Sequence, residues 1–108
     1  MLIYAITTHV ENEIESQWVD WMRETFIPLM FATGKFREAT FTKVVGASAD
    51  GSSYSVQYTT SNRATLQNFL TEDAPKLETE SQRLFGNKAL SFATELELIG
   101  RAQIKDAQ

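Results

Sequence analysis

Four aromatic residues are the side chains of this 108-residue chain best suited to hold a ligand: Trp18, Trp21, Tyr54 and Tyr58. Aromatic rings offer large apolar contact areas, and tryptophan and tyrosine add one hydrogen-bonding group each. The four residues could line a pocket for a flat, apolar ligand, or they could fill the core. Bulky aromatics at helical spacing are more often core than pocket, so the core interpretation is favoured and both remain open.

His9 is the only histidine, and a serine triad would have to be built around it. No G-x-S-x-G turn presents a serine nucleophile. We therefore predict no catalytic residue. His9 is expected at a strand end, facing solvent, an interface or a ligand.

Metal and cofactor sites are not expected. The chain has no cysteine and His9 is its only histidine, so the other possible metal ligands are carboxylates such as Glu95 and Glu97. Two residues apart on a strand, these two are separated by roughly 7 Å and form no recognisable ligand set or acid–base pair. The five glycines fall at turn and cap positions, and none makes a phosphate-cradling loop.

Composition narrows the function classes further. The formal net charge of −4 and the scattered lysines and arginines argue against nucleic-acid binding. The N-terminal residues show neither an export signal nor an apolar run of membrane-spanning length. Because the chain lacks cysteine, a reducing compartment fits, and we expect a cytoplasmic protein.

Alternation of apolar and polar residues predicts strands over 2–10, 36–45, 53–60 and 88–99. The Asp50-Gly51 pair predicts a turn between the second and third strands. The second and third strands should therefore form a hairpin.

Helical spacing of apolar residues predicts two helical regions, 13–26 and 62–85. Asn12, with Glu15 three residues later, is typical of an N-cap and capping box for the first region. Pro28 is expected to end or kink this helix and to open a further short turn. The remaining expected signals are a cap at Ser61 or Asn62, a break at 72–74 before Pro75, and glycine stops at Gly34 and Gly86.

The order β-α-β-β-α-β predicts a ferredoxin-like α+β domain over 1–100, followed by a polar, frayed tail at 101–108. Right-handed crossovers give an antiparallel sheet of order 4-1-3-2 with both helices on one face. We call the opposite side the bare face. Strand parity is predicted to place on it Ala5, Thr7, His9, Ser55, Gln57, Thr59, Ser91, Ala93 and Glu95, leaving Leu90, Phe92, Leu96 and Leu98 toward the helices.

Several short motifs resemble a small bacterial domain-of-unknown-function family with a ferredoxin-like fold. They are Trp18-Val19-Asp20-Trp21-Met22, Ile27-Pro28, Thr33-Gly34-Lys35-Phe36, Val56-Gln57-Tyr58, Asp73-Ala74-Pro75 and Phe85-Gly86. The resemblance covers about Leu2 to Ile99 and implies a fold but no established activity. In one departure, family members often carry histidine directly before the Ile-Pro pair, where this chain has Phe26.

The chain is also similar to dimeric α+β barrel proteins, which pair two sheets face to face. This similarity implies a homodimer, with Thr7, Ser55, Gln57 and Ser91 at the contact. The first functional hypothesis is a homodimeric module that binds a small apolar or aromatic ligand, or a protein, without catalysis. The alternative is a cofactor-independent monooxygenase-like enzyme that holds a flat aromatic substrate near Trp18, Trp21, Tyr54 and Tyr58, an analogy from fold alone.

Overall fold

A computed structural model of the chain describes residues 1–46 and 48–104. Four antiparallel strands form one sheet of order β2-β3-β1-β4, which confirms the predicted ferredoxin-like α+β fold. The elements are β1 (Leu2–Glu11), α1 (Glu15–Trp21), α2 (Ile27–Ala32), β2 (Glu38–Lys43), β3 (Gly51–Thr60), α3 (Arg63–Glu72), α4 (Ala74–Phe85) and β4 (Ala89–Glu97).

The first helical region extends past the predicted bound at residue 26, and the short turn predicted after Pro28 is the helix α2. A π-helical turn at Met22–Phe26 joins α1 to α2, and the Ile27 N–H donates to the Met22 carbonyl five residues earlier. Pro28 then lies in the first turn of α2, where its missing N–H costs little. The helix therefore continues to Ala32.

The predicted capping box at Asn12 is wrong. The Asn12 amide donates to the carbonyl of Ala49 at 2.9 Å, and its backbone N–H donates to the carbonyl of Asp50. A short 3₁₀ turn at Asn12–Ile14 precedes α1 instead. Asn12 therefore hydrogen-bonds to the loop between β2 and β3 and does not cap the helix.

The second helical region follows its local signals. The Asn62 side chain accepts a hydrogen bond from the Thr65 N–H at 2.9 Å and caps α3. The helix breaks at Asp73, and Pro75 lies in the first turn of α4. Gly86 ends α4 at a φ of +55°, a backbone conformation that favours glycine. The predicted break and glycine stop are both confirmed.

Strand β4 presents the opposite faces from those predicted. It pairs with β1 so that Ser91 lies beside Thr8 on the helix-covered face, and Phe92 lies beside Thr7 on the bare face. Because β4 is an edge strand, the helices cover little of its helix-side face, and polar side chains are suited to that face. Leu90, Phe92 and Leu96 therefore lie on the bare face, and Ser91, Ala93 and Glu95 lie on the helix-covered face.

Both hairpin strands differ in length from prediction: β2 is shorter, and β3 begins earlier, at Gly51. A β-carbon at Gly51 would lie 2.1 Å from the Val10 carbonyl oxygen, so only glycine allows the β1 and β3 backbones to meet here. The loop between the strands includes residue 47, which lies outside the described residues. No helix or strand forms over 98–104, and the rest of the predicted tail, 105–108, is outside the described residues.

The core lies between the helices and the sheet and is rich in aromatic residues. At one end, Phe36 packs against Phe69 with ring centroids 4.8 Å apart and against Tyr58 at 5.4 Å. At the other end, Trp18 contacts Tyr54 at 5.2 Å and Phe41 at 5.9 Å. These aromatic contacts fix the position of α1 over β2 and β3.

Candidate functional site

Three of the four predicted ligand-binding aromatics are buried. Trp18 is 2% exposed and Tyr58 is fully enclosed, so both pack in the core. The Tyr58 hydroxyl has no hydrogen-bond partner among the described residues, and burial raises its pKa, with a smaller contribution from Tyr4. Tyr54 is buried through its ring, but its edge reaches a surface groove.

The fourth aromatic, Trp21, is half-buried and borders a small cavity beneath the first helical region. Its ring packs against Phe26 at 5.1 Å and against Phe85 at 5.3 Å. The cavity holds about 40 Å³, and its polar lining includes Thr8 and Ser91, which share a 2.7 Å hydrogen bond. An apolar cavity that holds benzene is about 150 Å³. An aromatic ring would therefore fit here only if lining side chains moved.

His9 lies away from these aromatics, on the bare face near the end of β1. Its Nδ1 is 3.4 Å from the Ser53 hydroxyl, and its Nε2 is 3.6 Å from an Asp50 carboxylate oxygen. Trp18 and Tyr58 point to the other side of the sheet. The structure therefore does not bring His9 together with the predicted ligand-binding aromatics.

A larger concave surface lies between the first helical region and the edge strand β2. We call it the outer groove, and its volume is about 540 Å³, within the range of small-molecule sites. On the helix side, Val19, Arg23 and Ile27 follow one another at intervals of four residues. The outer groove is completed by Phe41, Thr42, Lys43 and Tyr54.

A hydrogen-bonded group borders the outer groove and fixes the Tyr54 ring. The Tyr54 hydroxyl donates to Glu15 Oε2 at 2.5 Å, and Lys43 Nζ is 3.2 Å from the same oxygen. The Tyr54 hydrogen bond, followed by Lys43, lowers the pKa of Glu15. Burial, and then Glu15, raises the pKa of Tyr54 to about 12. At neutral pH the tyrosine is therefore a neutral donor and the glutamate a charged acceptor.

The bare face carries a row of exposed apolar residues along β4. Phe92 is 65% exposed and Leu90 is 59% exposed, and Leu96 lies further along the same face, beyond Thr94. Of the residues predicted at a dimer contact, Thr7, Ser55 and Gln57 lie on this face: Thr7 is next to Phe92 on β1, and Ser55 and Gln57 are one strand further away, on β3. Ser91 does not lie on this face, because it points to the helix-covered face.

The sequence prediction missed Arg23, Phe41 and Lys43. The interval of four from Val19 to Arg23 to Ile27 is a usable sequence signal, because such residues share one flank of a helix. The position of Phe41 and Lys43 opposite that flank depends on strand pairing between β2 and β3, which local pattern does not reveal.

Comparison with known protein families gives one match, to a family described as "Domain of unknown function (DUF4286)", over residues 1–99. The chain belongs to the DUF4286 family. The predicted resemblance to a ferredoxin-like family of unknown function is thereby confirmed. No curated protein is similar enough to this DUF4286 chain to count as a match.

Solved structures share the fold of the DUF4286 chain at low sequence identity. A dimeric ferredoxin-like protein from an uncultured marine organism aligns with a TM-score of 0.71 and 10% identity, covering 94% of this chain and 97% of that chain. An ethyl tert-butyl ether d (ethd) family protein from Bacillus halodurans aligns at 0.66 and 19% identity, covering 92% and 100%. A Bacillus cereus protein named as a candidate antibiotic biosynthesis monooxygenase aligns at 0.63 and 11%, covering 95% and 97%.

Two further observations concern the described part of the DUF4286 chain. None of its helices is long and apolar enough to cross a membrane. Within residues 1–46 and 48–104, no group of three or more histidine or acidic side chains is arranged to hold a metal ion.

Proposed function

We propose that this DUF4286 domain is a homodimeric module in which two copies pair through their bare faces and each copy binds a small ligand. The observation that carries the proposal is the exposed row of Leu90, Phe92 and Leu96 on a sheet face that has no helix over it. Large apolar residues that are exposed together on one face often mark interaction surfaces.

The dimensions and composition of the bare face support self-association. Four strands about 4.8 Å apart and about 30 Å long give a face of about 600 Å². Two such faces together would bury about 1,200 Å², which is the lower end for a stable interface. Thr7 on β1 and Ser55 and Gln57 on β3 supply uncharged polar groups to the same face, a composition that suits the core of an interface.

The fold neighbours support dimerisation, because the marine protein is described as a dimeric ferredoxin-like protein. A symmetric dimer of the DUF4286 chain would place the same patch of each copy in the contact. The outer groove lies at the β2 edge of the sheet, on the opposite edge from the apolar row of β4, so each copy would keep its groove open to ligands.

Sedimentation analysis tests the dimer. Phe92→Glu should convert the dimer into a folded monomer, because a carboxylate within the contact would be desolvated without a partner. Phe31→Glu is the matched control, since Phe31 is 40% exposed on α2, away from the bare face, and should leave the dimer intact. A monomeric wild-type protein at tens of micromolar would overturn the proposal. A dimer that survives both Phe92→Glu and Gln57→Arg would place the contact elsewhere.

A monooxygenase-like enzyme is the second candidate function. The cavity beside Trp21 and the fold likeness to the Bacillus cereus protein favour it. Three observations weigh against an enzyme: the cavity is small, His9 lies on the other face of the sheet, and Phe26 replaces the histidine that family members often carry before the Ile-Pro pair. Oxygen uptake with a quinol substrate separates the two hypotheses: turnover that Trp21→Ala alters and Phe31→Glu does not would support the enzyme.

A further inference from the structure

We propose that the outer groove binds small amphipathic carboxylates, with the anionic group on Arg23 and Lys43 and the apolar body against Phe41, Tyr54 and the helix flank. This inference rests on the proposed ligand-binding function and names its ligand class. Neither the family nor the fold neighbours assign a role to these residues.

The apolar part of the groove is firmly built. The ring of Phe41 packs against Tyr54 with centroids 5.7 Å apart, and Trp18 supports both from beneath. Val19 and Ile27 form the opposite wall. A flat or branched apolar group would enter between two walls that are already packed, so little side-chain freedom would be lost on binding.

The charged part of the groove contains two cations and no acid in its lining. Among the described residues, no carboxylate lies within 4.0 Å of the Arg23 guanidinium. Its planar fork can therefore hold both oxygens of a ligand carboxylate. Glu15 on the border offsets the charge of Lys43 but leaves that of Arg23, so an anion is favoured at this place even though the chain carries a net charge of −4.

Lys43 is the second anchor, but it is already shared. Its ammonium lies 3.2 Å from Glu15 and 5.8 Å from the centre of the Tyr54 ring. The side chain is 53% exposed, so it can turn from Glu15 toward a ligand while Tyr54 continues to satisfy that carboxylate. Arg23 should accordingly contribute more to affinity than Lys43.

Both parts of the ligand are required by this geometry. A simple anion such as acetate would meet two solvated cations and gain little, because exposed ion pairs contribute weakly. A neutral aromatic compound would use the apolar walls but leave Arg23 unused. The groove therefore discriminates by the combination of an apolar body and a single carboxylate.

Calorimetric titration of the full chain with 2-naphthoate tests the proposal, with 2-naphthamide and acetate as matched probes. We expect one 2-naphthoate per protomer, at least tenfold weaker binding of 2-naphthamide, and no measurable binding of acetate. Arg23→Gln should weaken 2-naphthoate about tenfold or more, because a hydrogen bond to a charged group is lost. Arg23→Lys should recover part of the affinity, since it keeps the charge without the planar fork.

Arg83→Gln is the matched control, because Arg83 is an exposed arginine on α4 that pairs with Glu80 outside the groove. It should leave 2-naphthoate binding unchanged. Equal affinities for 2-naphthoate and 2-naphthamide, equal losses in Arg23→Gln and Arg83→Gln, or no binding of 2-naphthoate would overturn the carboxylate site. Sedimentation of the same samples distinguishes the ligand proposal from the dimer proposal. A dimer that binds no 2-naphthoate contradicts only the ligand proposal, and a monomer that binds 2-naphthoate contradicts only the dimer proposal.

Discussion

The two edge strands of the sheet place their apolar residues on opposite faces. Strand β2 directs Ala39 and Phe41 toward the helices and threonines toward the bare face. Strand β4 directs Leu90 and Phe92 toward the bare face and Ser91 toward the helices. The first arrangement builds the wall of a groove, whereas the second leaves an apolar strip for a partner. The same alternating pattern thus serves either purpose, depending on which neighbour it meets.

The largest expected effect comes from removing the support beneath the β2 side. Trp18→Ala should reduce the free energy of unfolding by about 3–5 kcal/mol, because it leaves a cavity under Phe41 and Tyr54. Chemical denaturation followed by circular dichroism measures this loss, with Val45→Ala at a solvent-exposed position as the control. An unchanged denaturation midpoint for Trp18→Ala would mean that Trp18 is not a core residue.

The next prediction compares phenylalanines on the two edges directly. Phe41→Ala should cost about 2 kcal/mol of folding free energy, since its ring is half-buried among aromatics. Phe92→Ala should cost less than about 0.5 kcal/mol in the monomer, since its ring is mostly exposed. Denaturation at several protein concentrations tests both: the wild-type midpoint should rise with concentration, and that rise should be lost only in Phe92→Ala. Equal losses of monomer stability would remove the contrast between the edges.

The smallest expected effect concerns Glu15 at the border of the outer groove. Its pKa in the folded state is lowered by Tyr54 and Lys43, so its stabilising contribution is complete above its usual value of 4.5 and is lost as pH falls through the lowered pKa. Wild type should therefore be more stable than Glu15→Gln at pH 7, and the difference should shrink at pH 3. Thermal denaturation of both proteins at the two pH values checks this, and a difference that grew on acidification would contradict it.

The signals that predicted the fold correctly act over a few residues. The Asn62 cap, the break before Pro75 and the stops at Gly34 and Gly86 depend on local backbone chemistry, so the sequence reveals them. The alternation of β4 also marked a strand correctly. Its facing could not be read locally, because it is set by the register between Ser91 and Thr8.

The candidate sites were harder to predict for the same physical reason. Asn12 matched a capping pattern, yet the loop before β3 provides its actual partners. The outer groove joins a helix flank containing Arg23 to a strand containing Lys43, and only tertiary packing brings them together. Aromatic content correctly indicated Trp18 as a core residue but gave no indication of the groove that it supports.

The π-helical turn also changes the direction in which later side chains of the first helical region point. Each residue of an α-helix turns by about 100° around the axis, so an uninterrupted helix would place Met30 about 120° away from Trp18. A π-helical turn takes up one additional residue, which cancels about 100° of that drift. Trp18 and Met30 consequently return to nearly the same side, and both are buried at 2% and 0% exposure. The one additional residue in the turn at Met22–Phe26 therefore keeps the buried apolar residues facing the sheet along the whole helical region.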